Sequence, residues 1–191
     1  MAGIMGINLK AIKKTVGREG DGFLANVYLN NKKIGTVADY GDGGGYEICI
    51  EQEKKLFEEI VQKYYEKYPE LDNFALKSTK EYLERKAKGT LPMRDFSKRD
   101  DFPLDEVFYE PFFSKLYCLH CLERDFKKGL QKGYSALVIV SYVYIPGEPL
   151  ALDEAYYTGG SKEAFEEIKS HVKRLAFEIT QYTSMNDFVI A

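Results

Sequence analysis

The chain has 191 residues, 45% hydrophobic and 30% charged, which is enough apolar content to pack a core and too much for long disorder. Thirty acidic and 27 basic residues are interspersed and leave a formal net charge of -3. No basic surplus or stripe points to binding through phosphates, so nucleic acid is not an expected partner. No apolar run approaches the roughly 18 residues that a membrane helix needs, and no membrane partner is expected.

The N-terminal MAGIMGINLK lacks a basic segment followed by an apolar one and does not read as a secretory signal. Three cysteines, Cys49, Cys118 and Cys121, are too few and too odd in number for a disulfide scaffold, so the cytoplasm is the expected compartment. The length fits one domain, and no repeat, low-complexity tract or linker marks a second.

Ile7 to Val16 reads as a first strand, followed by a Gly/Asp-rich turn over Gly17–Gly22 and a second strand at Phe23–Leu29. Asn30-Asn31 suits a tight hairpin turn, because Asn tolerates the positive φ such turns require. Lys33–Tyr40 is the third strand, Gly41-Asp42-Gly43-Gly44-Gly45 the next bend and Tyr46–Ile50 the fourth strand. The periodicity then becomes helical: Leu56, Phe57, Ile60, Val61, Tyr64, Tyr65 and Tyr68 form one apolar stripe, stopped by Pro69. Ser78 to Glu81 is a capping box opening a helix that ends near Gly89, and Thr90–Pro103 reads as a surface loop. A longer helix runs from about Asp105 or Phe112 to Lys128, with Pro111 in its first turn and Phe112, Leu116, Leu119, Phe126 and Leu130 on its buried face. Tyr134–Ile145 is apolar on both faces and is placed centrally in a sheet. Pro146–Pro149 turns the chain, and Leu150–Tyr157 returns as its hairpin partner. Ser161 caps a last helix whose stripe is Phe165, Ile168, Val172, Leu175 and Ile179, and Phe188–Ile190 adds a short strand. The sum is an α+β fold: an N-terminal antiparallel β-meander, central helices, then a further hairpin and a C-terminal helix on a mostly antiparallel sheet.

The segment VYLNNKKIGTVADYGDGGGYEI resembles the N-terminal hairpin of small, uncharacterised proteins of bacteriophages and prophages, in which YLNGKKIG is followed by a short strand and a glycine-rich turn. The matching residues are Tyr28, Leu29, Asn30, Lys32, Lys33, Ile34, Gly35, Val37, Gly41, Gly43 and Gly44, with Asn31 where Gly is usual. A fainter echo follows at Lys127–Tyr134 (KKGLQKGY). The resemblance covers about a quarter of the chain. It implies a viral or mobile-element source and carries over no catalytic residue.

Several residue sets bear on chemistry. The glycine bend could cradle an anion with backbone N–H groups, but it joins strand to strand and fits neither the dinucleotide nor the P-loop spacing; a hairpin turn is the simpler reading. Cys118-x-x-Cys121 lacks the second ligand pair that zinc needs and lies mid-helix, so the thiols read as small core residues rather than a metal or redox site. Ser170 precedes His171, but no serine-hydrolase elbow is present. The acidic cluster Asp100, Asp101, Asp105, Glu106 and Glu110 could bind Mg²⁺, though it also suits a helix start. Asp39 and Glu47 on adjacent strands are similar to paired nuclease carboxylates. Tyr142, Tyr144, Tyr156 and Tyr157 lie on the proposed central hairpin and could stack on a base or bury against a protein, with core packing the commoner role for such rings.

No catalytic residue and no cofactor is assigned. The leading expectation is a phage- or mobile-element-type accessory protein that binds a host protein, a host-defence antagonist being one form, with a homodimer open. The alternatives are a protein that sequesters a small nucleotide, using Gly41, Asp42, Gly43, Gly44 and the tyrosines, and a metal-dependent enzyme.

Overall fold

A computed structural model describes residues 1–68, 109–142, 154–172 and 176–191, with no side chain described at 142 or 176–178. The capping box at Ser78–Glu81, the loop at Thr90–Pro103 and the turn at Pro146–Pro149 lie outside the described residues. The fold is α+β, as the sequence predicts. The chain divides into two compact units, Gly3–Cys118 with Ala191, and Met1–Ala2 with Leu119–Ile190.

The first unit is built on an antiparallel meander: β1 (Gly3–Ile4), β2 (Ile7–Val16), β3 (Asp21–Leu29), β4 (Lys32–Asp39) and β5 (Glu47–Ile50) lie side by side in chain order. Period-2 alternation is plain on β3, where Phe23, Ala25, Val27 and Leu29 are buried and the residues between them are half-exposed. Asn30 and Asn31 both adopt positive φ, 47° and 70°, and close the β3–β4 hairpin in the mirror-image turn that matches strand twist. Met5 (φ 46°) and Gly6 (φ 85°) do the same between β1 and β2, a turn not read from the sequence.

Helix α1 (Lys54–Lys67) buries Phe57, Val61, Tyr64 and Tyr65, one stripe at i, i+4, i+7 and i+8. Leu56 departs from the expected stripe: it is 42% exposed, because it lies about 100° round the helix from Phe57. Helix α2 (Glu110–Gln131) starts with Pro111 in its first turn, where the missing N–H costs nothing. Its residues through Cys118 complete the first core. The Phe57 ring stacks on Phe113 (centroids 5.8 Å, 14°) and meets Tyr109 edge-on, while Tyr64 meets Phe112 edge-on at 5.4 Å. Phe23, from the sheet, stacks on Tyr117 at 4.0 Å and 5°. Such offset and edge contacts add about 0.5–1.5 kcal/mol each beyond burial.

In the second unit β6 (Ala136–Tyr142) is central, flanked by β7 (Glu154–Thr158) and β8 (Ala176–Tyr182), both antiparallel to it. Helix α3 (Lys162–Val172) is capped by Ser161, whose hydroxyl oxygen accepts from the Ala164 amide at 3.2 Å. The expected helical stripe ending at Ile179 is corrected here: Ile179 belongs to β8 and sits opposite Val140. The segment AFEITQY alternates, and the apolar strand β6 supplies a ladder partner that outweighs the helical spacing. A 3₁₀ turn (Met185–Phe188) precedes β9 (Val189–Ile190), and Phe188, fully buried, stacks on Tyr182 at 4.9 Å. Leu130 was expected on the buried face of α2 and is exposed instead. Among the described residues no helix is long and apolar enough to cross a membrane.

Glu123, on α2, is 2% exposed. Its carboxylate accepts the Ala2 amide at 3.0 Å and pairs with Lys127 at 3.0 Å and the Met1 α-amine at 3.1 Å. Burial alone would raise its pKa; the Ala2 amide, Lys127 and the α-amine outweigh it and hold the group below the usual carboxylate value.

Two predictions follow from these cores. Phe57→Ala lowers unfolding free energy by about 3–5 kcal/mol, whereas Leu56→Ala changes it by about 0.5 kcal/mol or less, both read by urea denaturation. Because the folded pKa of Glu123 is depressed, its contribution is complete above the ordinary carboxylate value and is lost as pH falls through the lowered one. Glu123→Gln therefore costs about 1–3 kcal/mol at neutral pH, and its gap from wild type narrows on acidification.

Candidate functional site

The glycine bend forms as expected, joining β4 to β5, with Gly41, Gly43 and Gly45 at φ 68°, 73° and 74°. A Cβ at Gly41 would lie 2.2 Å from the Gly20 carbonyl oxygen, so the bend packs closely on the β2–β3 turn. The Asp42 carboxylate accepts the Arg18 amide at 2.9 Å, and the Asp39 carboxylate accepts the Gly41 amide at 2.8 Å. Beside the bend lies a cavity of about 300 Å³ whose walls include Glu19, Asp21, Asp39, Glu110 and Tyr46. Among the described residues four carboxylates and no Lys or Arg line it. An anion would meet repulsion there, which tells against a phosphate cradle. Gly44 is not among the lining residues.

Asp39 and Glu47 do not act as a pair. Glu47 accepts the Tyr40 hydroxyl at 3.1 Å and lines a different cavity, on the face of the sheet that carries Leu24, Thr36 and Cys49. Of the acidic cluster, Glu110 is described and lines the glycine-bend cavity; Asp100, Asp101, Asp105 and Glu106 lie outside the described residues.

The cysteines are not core fillers. Cys118 and Cys49 are exposed and Cys121 is half-buried, and none is in a disulfide. On α2 the buried stripe runs through Leu116 and Leu119, and Cys118 falls between its rows. Among the described residues no three His, Cys, Asp or Glu side chains gather to hold a metal ion. Ser170 gives its hydroxyl hydrogen to the Glu167 carbonyl at 2.7 Å; His171 Nδ1 lies 2.8 Å from the same oxygen and a longer 3.5 Å from Ser170 Oγ, so the shorter contacts of both groups go to that carbonyl.

Of the four tyrosines, Tyr156 and Tyr157 have described side chains. Tyr144 and the Tyr142 side chain lie outside the described residues. Tyr156 and Tyr157 are adjacent on β7 and so point to opposite faces. Tyr156 is half-buried and donates its hydroxyl to Glu154. Tyr157 is 37% exposed, and its ring meets that of Tyr134 with centroids 5.7 Å apart and planes tilted by 32°.

Tyr134 is the residue that sequence reasoning missed, and the end of α2 explains its place. Gly133 takes φ 87°. The Gly133 amide donates to the Leu130 carbonyl and the Tyr134 amide to the Gly129 carbonyl, the paired bonds of a Schellman stop. Tyr134 is thereby folded back over Gly129. The Tyr157 ring fills the same spot: a Cβ on Gly129 would lie 2.7 Å from Tyr157 Cδ1 and 3.9 Å from Tyr134 Cβ. Gly129 is thus the seat on which the ring rests. Tyr134 (42% exposed) and Tyr157 form a ring pair held open to solvent on a glycine-rich helix end, and Leu130, next to Gly129 in the chain, is 44% exposed. The signal in the sequence is KKGLQKGY, in which glycines at 129 and 133 leave one helix side bare.

No family model, no curated protein and no solved structure matches the chain.

The seat makes a testable demand. Gly129→Ala gains about 1 kcal/mol of helix propensity but incurs an overpacking cost of about 1–3 kcal/mol against the ring, so it destabilises on balance. Gly133→Ala forces a side chain into the left-handed region at about 1–2 kcal/mol. Urea denaturation reads both losses, and ring nuclear Overhauser contacts between Tyr134 and Tyr157 disappear in the first variant.

Proposed function

We propose that the chain is a non-enzymatic binding protein that engages a host protein through Leu130, Tyr134 and Tyr157, as an accessory protein of a phage or mobile element. One observation carries this reading: a ring pair, each ring more than a third exposed, is packed on Gly129, with the exposed Leu130 next to it in the chain. Tyrosines of this kind offer large, rigid contact area with few rotatable bonds, which suits an interface anchor. The source and the host partner rest on the resemblance over Tyr28–Gly44. Nucleotide capture is less favoured, since the glycine-bend cavity that would serve it is lined with carboxylates.

Site-specific photocrosslinking tests the reading. A photoreactive phenylalanine analogue replacing Tyr157 is expected to give a discrete adduct in bacterial lysate. The adduct should vanish when Leu130→Ser and Tyr134→Ser are added with the circular dichroism spectrum unchanged. The same adduct formed from a probe at Val16, which is exposed on β2 in the other unit, would defeat the proposal, as would no adduct at all.

A further inference from the structure

The helix end that carries the patch is basic. Lys127 to Tyr134 holds three lysines and no acidic residue, in a chain of net charge -3. Two of the lysines are committed: Lys127 to Glu123 at 3.0 Å and Lys128 to Asp125 at 2.8 Å. Lys132 is exposed and, among the described residues, makes no ion pair. It stands one residue before Gly133 and two before Tyr134. The carbonyls of Gly129 and Leu130 beside it are taken by the Schellman bonds, so its ammonium is not needed there.

We infer that the patch docks a short peptide segment that sets an apolar side chain on the rings of Tyr134 and Tyr157 and a carboxylate on Lys132. This deepens the preceding reading of the patch as a binding surface and rests on it. Charge complementarity selects the partner: an exposed cation three residues after Gly129 and two before Tyr134, at the same helix end, fits an acidic residue flanking an apolar anchor. Area sets its size. Three partly exposed side chains present on the order of a few hundred Å², against about 800 Å² per partner in a stable protein pair, so a segment fits better than a second copy of the chain. A nucleic-acid strand needs several cations tracking its phosphates, and of the three lysines at this helix end one, Lys132, makes no ion pair among the described residues.

A displayed random-peptide library panned on the purified protein, with Tyr157→Ser as the counter-selecting variant, supplies the probes. Synthetic binders are then titrated by fluorescence anisotropy against wild type, Lys132→Glu and Tyr134→Ser, beside a labelled oligothymidylate. Circular dichroism of each variant confirms the fold. The expected result is enrichment of Asp or Glu next to an apolar residue, with binding weakened about tenfold or more by either variant. Binders lost with Tyr134→Ser but lacking acids, or unmoved by Lys132→Glu, overturn the acidic partner while sparing the surface. Binders unmoved by both variants overturn the surface as well. Recovery of no binder overturns the peptide segment, with the Tyr157 crosslink still deciding the surface. Oligothymidylate binding that depends on Tyr134 replaces the peptide with a nucleic acid.

Discussion

The left-handed turn at Gly133 governs the second unit. It ends α2, satisfies the Gly129 and Leu130 carbonyls and sends the chain directly into β6. A residue with a Cβ resists that φ, so without glycine the stop that sets Ala136 opposite Thr158 would be strained. The same turn carries Tyr134 back over Gly129, where it meets the ring that β7 delivers from the other direction. Backbone geometry and the surface it exposes are therefore one feature. The tyrosines are held in place by the helix end rather than by a loop of their own.

The glycine bend at 41–45 shows how little glycine content says about ligands. Its backbone makes the left-handed excursions that anion cradles also use. Yet the side chains facing the cavity are Glu19, Asp21, Asp39 and Glu110. The electrostatic sign of a pocket is set by its walls, and here Glu19 comes from the β2–β3 turn, Asp21 from the start of β3 and Glu110 from the far-off start of α2. Local sequence around the bend includes only Asp39 of the four. The close approach of Gly41 to Gly20 supplies a structural reason for glycine there, without any ligand.

The meander was legible because each of its signals is local. Alternation along Phe23–Leu29 and the Asn30-Asn31 pair act within a few residues, and the structure places them as read. β8 was not legible for the converse reason. Phe165, Ile168, Val172, Leu175 and Ile179 recur at helical spacing, while residues 176–182 also alternate; pairing with β6, a contact distant in sequence, decides between them. The site divides the same way. Tyr157 stood out as an aromatic on a hairpin, but its neighbour Tyr134 depends on a helix stop and on an absent side chain at Gly129. Cys118 suits a core by residue type, but α2 sets it between the buried rows; Leu130 shares a helix row with the buried Phe126, and spacing does not foretell its exposure in the last turn.

The two sheets also differ in what it costs to bring their strands together. In the meander, two-residue turns join β1 to β2 and β3 to β4, so neighbouring strands meet with almost no chain to close. In the three-stranded sheet, β6 reaches β8 only after β7 and α3 have intervened, and Leu137 finds Tyr182 across that whole excursion. The entropy of closing that long loop is borne by the apolar strand at its centre, whose Leu137, Val138 and Val140 are fully buried. The two sheets therefore differ in contact separation: the meander is built from neighbours in the chain, and the second sheet from a distant pairing around β6.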